Sequence, residues 1–200
     1  MQENELVLRA QKGDDSAFEQ LVRKYDKPVY NYCLRMCGNR DDACDLSQES
    51  FIKVYRALAL FKSESRFSTW LYRLVANTCI DFLRRKKRGK EVSLTVEEND
   101  GEEVQLNIAD CAEEPQQTVE RKELRRDIAK ALEKLSYEHK QIILLREIDG
   151  LSYMEIAQVL EISEGTVKSR LARGRKQMAG YLREYGTLSG GGTSNDTKRR

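Results

Sequence analysis

The sequence predicts an all-α fold: two small helical domains, an N-terminal helical bundle and a C-terminal helix-turn-helix, joined by a flexible acidic linker. Three observations carry that expectation. Of the 200 residues, 40% are hydrophobic, 34% are charged and only two are proline, Pro28 and Pro115; this suits helices with charged outer faces and is too apolar for a wholly disordered chain. Charge is segmented behind a net of only +2: residues 1–90 carry +6, residues 91–120 carry ten acidic and no basic side chains, and residues 121–200 carry +6. Finally, apolar residues recur at helical spacing in both basic segments and lose that period between them.

The first segment, Glu5 to Gly13, is amphipathic through Leu6, Val7 and Ala10. Asp15-Ser16-Ala17-Phe18 then opens a helix running through Leu21, Val22, Tyr25, Val29, Tyr30, Cys33 and Leu34, where Pro28 predicts a kink or a restart. After the Gly38-Asn39 break, Asp41 and Asp42 are candidate caps for a third helix. That helix carries Asp45, Gln48 and Glu49 beside an apolar side of Phe51, Val54, Tyr55 and Leu58. Phe61 to Phe67 reads as a polar loop, and Ser68 can cap a fourth helix whose inward stripe is Leu71, Leu74, Val75, Thr78 and Phe82. Trp70, Arg73, Asn77, Asp81 and Arg84 fall on another side, which runs into Arg84-Arg85-Lys86-Lys87-Arg88. A ring for base stacking, an amide for base edges and cations for phosphates are what a single-stranded nucleic acid requires. The same spacing also suits Trp70 as a half-buried core residue.

Glu91 to Glu120 lacks a sustained helical period, holds the turn signal Asn99-Asp100-Gly101 and is broken again at Pro115. It reads as a flexible spacer kept extended by self-repulsion, or as a strap whose acids mimic phosphates in a basic channel. Residues 186–200, rich in Gly, Ser and Thr, read as a disordered tail.

In the C-terminal module, Leu135 to Asp149 carries Ile142, Ile143 and Leu145 and stops at Gly150. Ser152-Tyr153-Met154-Glu155 has the spacing of a capping box, opening a helix that buries Ile156, Ala157, Val159 and Leu160. The turn Glu161-Ile162-Ser163 leads to a second cap at Ser163 and a helix over Gly165 to about Leu182. Val167, Leu171, Met178 and Leu182 form its packing side, while Lys168, Ser169, Ala172, Arg173 and Lys176 share another face flanked by Arg170 and Arg175. Five basic residues within nine positions behind a capped turn point to duplex DNA and a helix in the major groove.

Other classes are disfavoured. No apolar run approaches the about 20 residues that cross a bilayer, and the polar, acidic N-terminus is no secretory signal. The expectation is a cytoplasmic protein without membrane insertion. Cys33, Cys37, Cys44, Cys79 and Cys111 make no disulfide framework there; without a C-x-x-C pair, and with His139 far away, they read as packing residues, with no metal and no cofactor. No phosphate loop or nucleophile–base pair marks an enzyme.

Asp45-Leu46-Ser47-Gln48-Glu49-Ser50-Phe51, Phe67-Ser68-Thr69-Trp70-Leu71-Tyr72-Arg73 and Asn77-Thr78 resemble the promoter-opening domain of extracytoplasmic-function (ECF) sigma factors, RNA polymerase sigma subunits of the sigma-70 family. Leu144 to Tyr153, followed by Gly165-Thr166-Val167-Lys168-Ser169-Arg170, resembles their second conserved domain. The resemblance implies a region 2 domain over 1–90, an acidic linker over 91–118, a region 4 helix-turn-helix domain over 119–185 and a tail over 186–200. It implies docking of Asp45, Gln48, Glu49 and Ile52 on the β′ clamp helices of core RNA polymerase, with the β flap as a further contact. It assigns Lys62, Ser63, Ser65, Arg66, Trp70, Arg73, Asn77, Arg84 and Arg85 to the minus-ten element, with Asn77 at the base-reading position. Thr166, Lys168, Ser169, Arg170, Ala172, Arg173 and Lys176 match the minus-thirty-five readers, although Ala172 offers only a methyl group where some members carry more. The implied role is non-enzymatic: promoter-specific initiation, as an alternative sigma for stress or envelope response held by an anti-sigma factor. The competing reading is a helix-turn-helix regulator that binds duplex operators without polymerase; a nuclease is the weaker rival.

Overall fold

The computed structural model describes residues 3–92 and 115–186, and every regular element among them is helical. The centre of the expected linker, with Cys111 and its candidate phosphate mimics, and the tail from residue 187 lie outside the described residues. The N-terminal module comprises α1 (Glu3–Gln11), α2 (Asp15–Cys37), α3 (Arg40–Ala57), a 3-10 turn at Leu58–Leu60 and α4 (Phe67–Val92). The C-terminal module comprises α5 (Pro115–Glu133), α6 (Tyr137–Ile143) with a π-helical turn at Leu144–Ile148, α7 (Tyr153–Leu160) and α8 (Glu164–Glu184). Both ends of the expected linker are therefore helical: α4 runs on to Val92 and α5 starts at Pro115, where a proline suits the first turn because its missing N–H has no intrahelical partner.

Local chemistry explains the boundaries. Asp14 caps α2 by accepting from the Ala17 N–H at 3.1 Å. Pro28 does not interrupt α2; it and Lys24 lie on the exposed side, so the Lys24 carbonyl that loses its helical donor faces water. Gly38 closes α2 in the left-handed region at φ 73°. Asn39, rather than Asp41 or Asp42, caps α3, its side-chain oxygen accepting from the N–H groups of both, and the two aspartates complement the positive end of the helix from within its first turn. Likewise α4 starts at Phe67, which places Ser68 inside the first turn instead of at the cap.

The N-terminal core forms where α2, α3 and α4 meet. Leu21, Val29, Tyr32, Cys33, Met36, Leu46, Val54, Leu71, Val75 and Cys79 are all at most 2% exposed. Cys33 and Cys79 face each other with sulfurs 3.7 Å apart. The Cys79 thiol is held well above its ordinary range by its hydrogen bond to Cys33 and by burial, which disfavours the reactive thiolate. Cys37 is half-buried and Cys44 exposed. Phe61, Phe67 and Trp70 form an aromatic cluster, with centroids 5.0 Å apart for Phe61–Trp70 and 5.8 Å for Phe67–Trp70. Gln11 ties α1 to this end by donating to the Leu58 and Phe61 carbonyls at 3.0 and 2.7 Å.

In the C-terminal module the capping box is complete: Ser152 N–H donates to Glu155 Oε2 at 2.9 Å and Glu155 N–H donates to Ser152 Oγ at 3.2 Å. Ser163 caps α8 by accepting from the Thr166 N–H at 3.1 Å. Ile142, Ile143, Leu144 and Leu145 are consecutive and all at most 6% exposed. One α-helical stripe cannot turn four successive side chains inward, and here the chain widens into the π turn. Gly174 allows α8 to approach α6, because a Cβ there would stand 3.1 Å from Ile143 Cδ1 and 3.3 Å from His139 Cβ.

The modules pack on each other, α4 against α7 and α2 against α6. Tyr72 Oη donates to Asp149 Oδ1 at 2.7 Å, and the buried Lys140 ammonium donates to the Met36 carbonyl at 3.2 Å.

Replacing Gly174 with Leu should destabilise the C-terminal module by about 1–3 kcal/mol through overpacking. Urea unfolding should show a lower midpoint at unchanged slope.

Candidate nucleic-acid interface

The segmented charge produces two separated basic faces and one acidic stripe. On α3, Asp45 and Gln48 are exposed and Ile52 is 51% exposed, at three- and four-residue spacing on one face. Glu49, half-buried, pairs with Lys53 at 2.7 Å. Tyr55, which sequence reasoning placed inward, is 54% exposed and extends the same stripe, so the surface offers carboxylate, amide and apolar groups together.

The second face belongs to the Phe61–Phe67 loop and α4. Lys62 and Ser63 are exposed, and Ser63 has φ 57°, so it turns the loop tip through the left-handed region. Ser65 is half-buried. Arg66 lies 3.5 Å from Glu155 and Arg73 lies 3.8 Å from Glu161, both carboxylates coming from the C-terminal module. Asn77, Arg84 and Arg85 are exposed along α4. Trp70 does not join them: it is 9% exposed within the aromatic cluster, so its indole packs the loop instead of offering an open stacking face.

The third face is α8. Lys168, Ser169, Ala172, Arg173 and Lys176 are exposed on it, opposite Val167 and Leu171 at 0% and 1% exposure. Thr166 sits in the capped first turn, its hydroxyl 2.8 Å from Ser163 Oγ. The flanking arginines are committed to the module itself: Arg170 pairs with Glu138 at 3.4 Å, and Arg175 with Glu147 at 2.5 Å. The free reading face of α8 is therefore narrower than its count of basic residues suggests.

Sequence reasoning missed the polar set between the modules. Asp149 is half-buried beside Tyr72 and Arg35, and its partial desolvation pushes its carboxyl up to about 6 against the pull of the Tyr72 hydroxyl and the Arg35 guanidinium. Burial also lowers Lys140 and Arg35 from their ordinary ranges. Lys140 and Gln141 end the polar stretch Glu138-His139-Lys140-Gln141, so the local sequence carries no signal of their burial. Among the described residues, no group of three or more His, Cys, Asp or Glu side chains is arranged to hold a metal ion, and no helix is long and apolar enough to cross a membrane.

Two family models match in order: Sigma-70 region 2 over residues 21–89 and Sigma-70, region 4 over residues 125–178. The chain is 36% identical over 178 residues to the ECF RNA polymerase sigma factor SigW of Bacillus subtilis, covering 89% of this chain and 95% of that one. It is 38% identical over 172 residues to the ECF RNA polymerase sigma-E factor of Escherichia coli, covering 86% and 89%. The fold is shared with the sigma factor RpoE in its complex with the anti-sigma factor NepR from Bartonella quintana, at a TM-score of 0.67 and 22% identity over 83% of this chain and 96% of that one. Both regions in their order, with such relatives spanning most of both chains, show that this chain belongs to the ECF RNA polymerase sigma factors.

Proposed function

We propose that this chain binds core RNA polymerase and directs it to promoters by reading two DNA elements, without itself catalysing a reaction. The observation that carries this reading is the presence, in one chain, of two separate basic faces, one on the Phe61–Phe67 loop and α4 and one on the capped helix α8, with a distinct mixed stripe on α3. In this reading residues 1–90 act as region 2, with Asp45, Gln48, Glu49 and Ile52 docking on the β′ clamp helices. Lys62, Ser63, Ser65, Arg66, Arg73, Asn77, Arg84 and Arg85 hold the minus-ten strand, and Trp70 shapes the loop from beneath. Residues 119–185 act as region 4, with Thr166, Lys168, Ser169, Ala172, Arg173 and Lys176 facing the minus-thirty-five groove and Arg170 at its edge.

The chemistry is binding energy alone. Exposed lysines and arginines hold phosphates and set the register, and side chains at base edges specify sequence. Flipping a base from the stack costs a few kcal/mol, supplied by the pocket and by polymerase contacts. The 22 residues between Val92 and Pro115 can reach about 75 Å when extended, so the two modules engage as a tethered pair with raised effective concentration. The place of action is the cytoplasm, where the polymerase works. RpoE and CnrH, both similar in fold, were solved with an anti-sigma factor and with the cytosolic domain of CnrY; these complexes support control of this chain by an anti-sigma factor in a stress or envelope response.

Run-off transcription from the cognate promoter tests the assignment: core polymerase should initiate there only when the chain is added. Tight duplex binding by the chain alone, with no effect on polymerase, would favour the operator-binding regulator. Charge reversal at Asp45 and Glu49 should weaken holoenzyme assembly at least about tenfold, about 1.4 kcal/mol, in a binding titration with core polymerase, with the thermal midpoint of the free chain unchanged. Lys168→Ala and Arg173→Ala should each lower the salt slope of holoenzyme–promoter binding by about one.

A further inference from the structure

Helix α1 reaches both ends of the loop that carries part of the minus-ten assignment. At the entry, the Gln11 amide donates to the Leu58 carbonyl at 3.0 Å and to the Phe61 carbonyl at 2.7 Å, across 47 and 50 positions of chain. These carbonyls bracket the 3-10 turn, which Phe61 closes by donating its own N–H to Leu58 at 3.1 Å. At the exit, the Tyr25 hydroxyl donates to Glu3 at 2.6 Å, and its ring lies 5.7 Å from that of Phe67. Glu3 also pairs with Lys24 and lies within electrostatic range of Arg66. Glu3 and Gln11 are the two ends of α1, about 12 Å apart along the helix.

The helix is itself well fixed. Leu6 and Val7 are buried, and Arg9 pairs with the α2 cap Asp14 at 2.6 Å, so Gln11 is presented from a held position. The loop is the softer partner. Lys62 and Ser63 are exposed at its tip, and Ser63 sits at φ 57°, a region that a residue with a Cβ enters only at a cost. A pocket that distinguishes bases must be held to about 0.5 Å, and a strained, exposed tip takes that precision from its ends. Phe61 passes the constraint inward, its ring 5.0 Å from Trp70 and 5.9 Å from Phe67.

We propose that Gln11 is a positioning residue for base selectivity in the minus-ten element: through the Leu58 and Phe61 carbonyls it fixes the entry of the Phe61–Phe67 loop, with α1 as the frame. The proposal rests on the promoter-reading assignment above. Gln11 reads no base; it acts through the loop. The chemistry of the site makes the amide specific. Both partners are carbonyl oxygens, so the side chain must donate, and a carboxylate of the same shape has no proton to give. Replacing Gln11 by glutamate would set an acceptor against two acceptors and leave the half-buried carbonyls unsatisfied.

The test uses holoenzyme assembled from core polymerase and the full-length chain. The probes are fluorescein-labelled single strands of about 12 nucleotides, carrying the cognate minus-ten element or the same element with one base changed. The quantity read is the ratio of the two affinities. A variant that merely folds less well lowers both affinities together and leaves that ratio alone. In Gln11→Glu the ratio at the most selective position should fall about tenfold, the scale of one good base contact, with holoenzyme affinity for minus-thirty-five duplex unchanged. Gln11→Lys keeps a donor within reach of both carbonyls and should hold the wild-type ratio. Trp70, the only tryptophan, reports the same change in the free chain: its emission should move to longer wavelength in Gln11→Glu and stay in place in Gln11→Lys. A Gln11→Glu ratio equal to wild type, or a ratio lost as fully in Gln11→Lys, would overturn the proposal and leave the promoter assignment standing. Wild-type holoenzyme that binds both strands equally would overturn the assignment, and the proposal with it.

Discussion

Helix α4 has to face three ways, and most of the structure depends on how it does so. Leu71, Val75, Cys79 and Leu83 close the N-terminal core. Tyr72 and Arg73 turn toward the C-terminal module, while Asn77, Arg84 and Arg85 stay in water. A helix offers about 100° per residue, so three functions fit only if each uses a narrow stripe. The inward stripe carries the small Cys79, at 0% exposure, whose sulfur lies 3.7 Å from Cys33 of α2. The aromatic cluster then anchors the loop before α4, and Trp70 serves that anchoring.

The C-terminal module meets a similar constraint with a different device. Its four successive buried aliphatics at Ile142–Leu145 are accommodated by a π turn, and the same turn ends at Asp149, which enters the contact with α4. The reading helix α8 approaches α6 closely at Gly174 and is tied at its edges by Arg170–Glu138 and Arg175–Glu147. Exposed pairs of this kind add little stability; their effect is to orient α8 and to leave Lys168, Arg173 and Lys176 as its outward cations.

What the sequence made legible was local. The Ser152/Glu155 box and the Ser163 cap follow from fixed spacings, and the helical stripes of both modules follow from periodicity, so the all-α architecture and the two reading helices could be read directly. Features set by distant partners were not legible. Asp149 meets Tyr72 across 77 positions and Lys140 meets Met36 across 104, and no window of sequence reports such pairs. The capacity of α2 to absorb Pro28 depends on which side of the helix faces water. Asn39 displaced Asp41 and Asp42 as the cap because its position before the first turn lets one oxygen accept from both amides. Trp70 was ambiguous because its spacing fits both a half-buried and a stacking role, and the rings of Phe61 and Phe67 decide for burial.

The central claim is that this sigma factor opens promoter DNA only as part of the polymerase, with α4 on the separated strand and α8 on intact duplex upstream. Permanganate footprinting reads this directly, because unpaired thymines react and paired ones do not. The account predicts reactive thymines in the minus-ten segment when chain, core polymerase and promoter are all present, and none when any is omitted. Reactivity produced by core polymerase without the chain, or strand opening by the chain without polymerase, would contradict it.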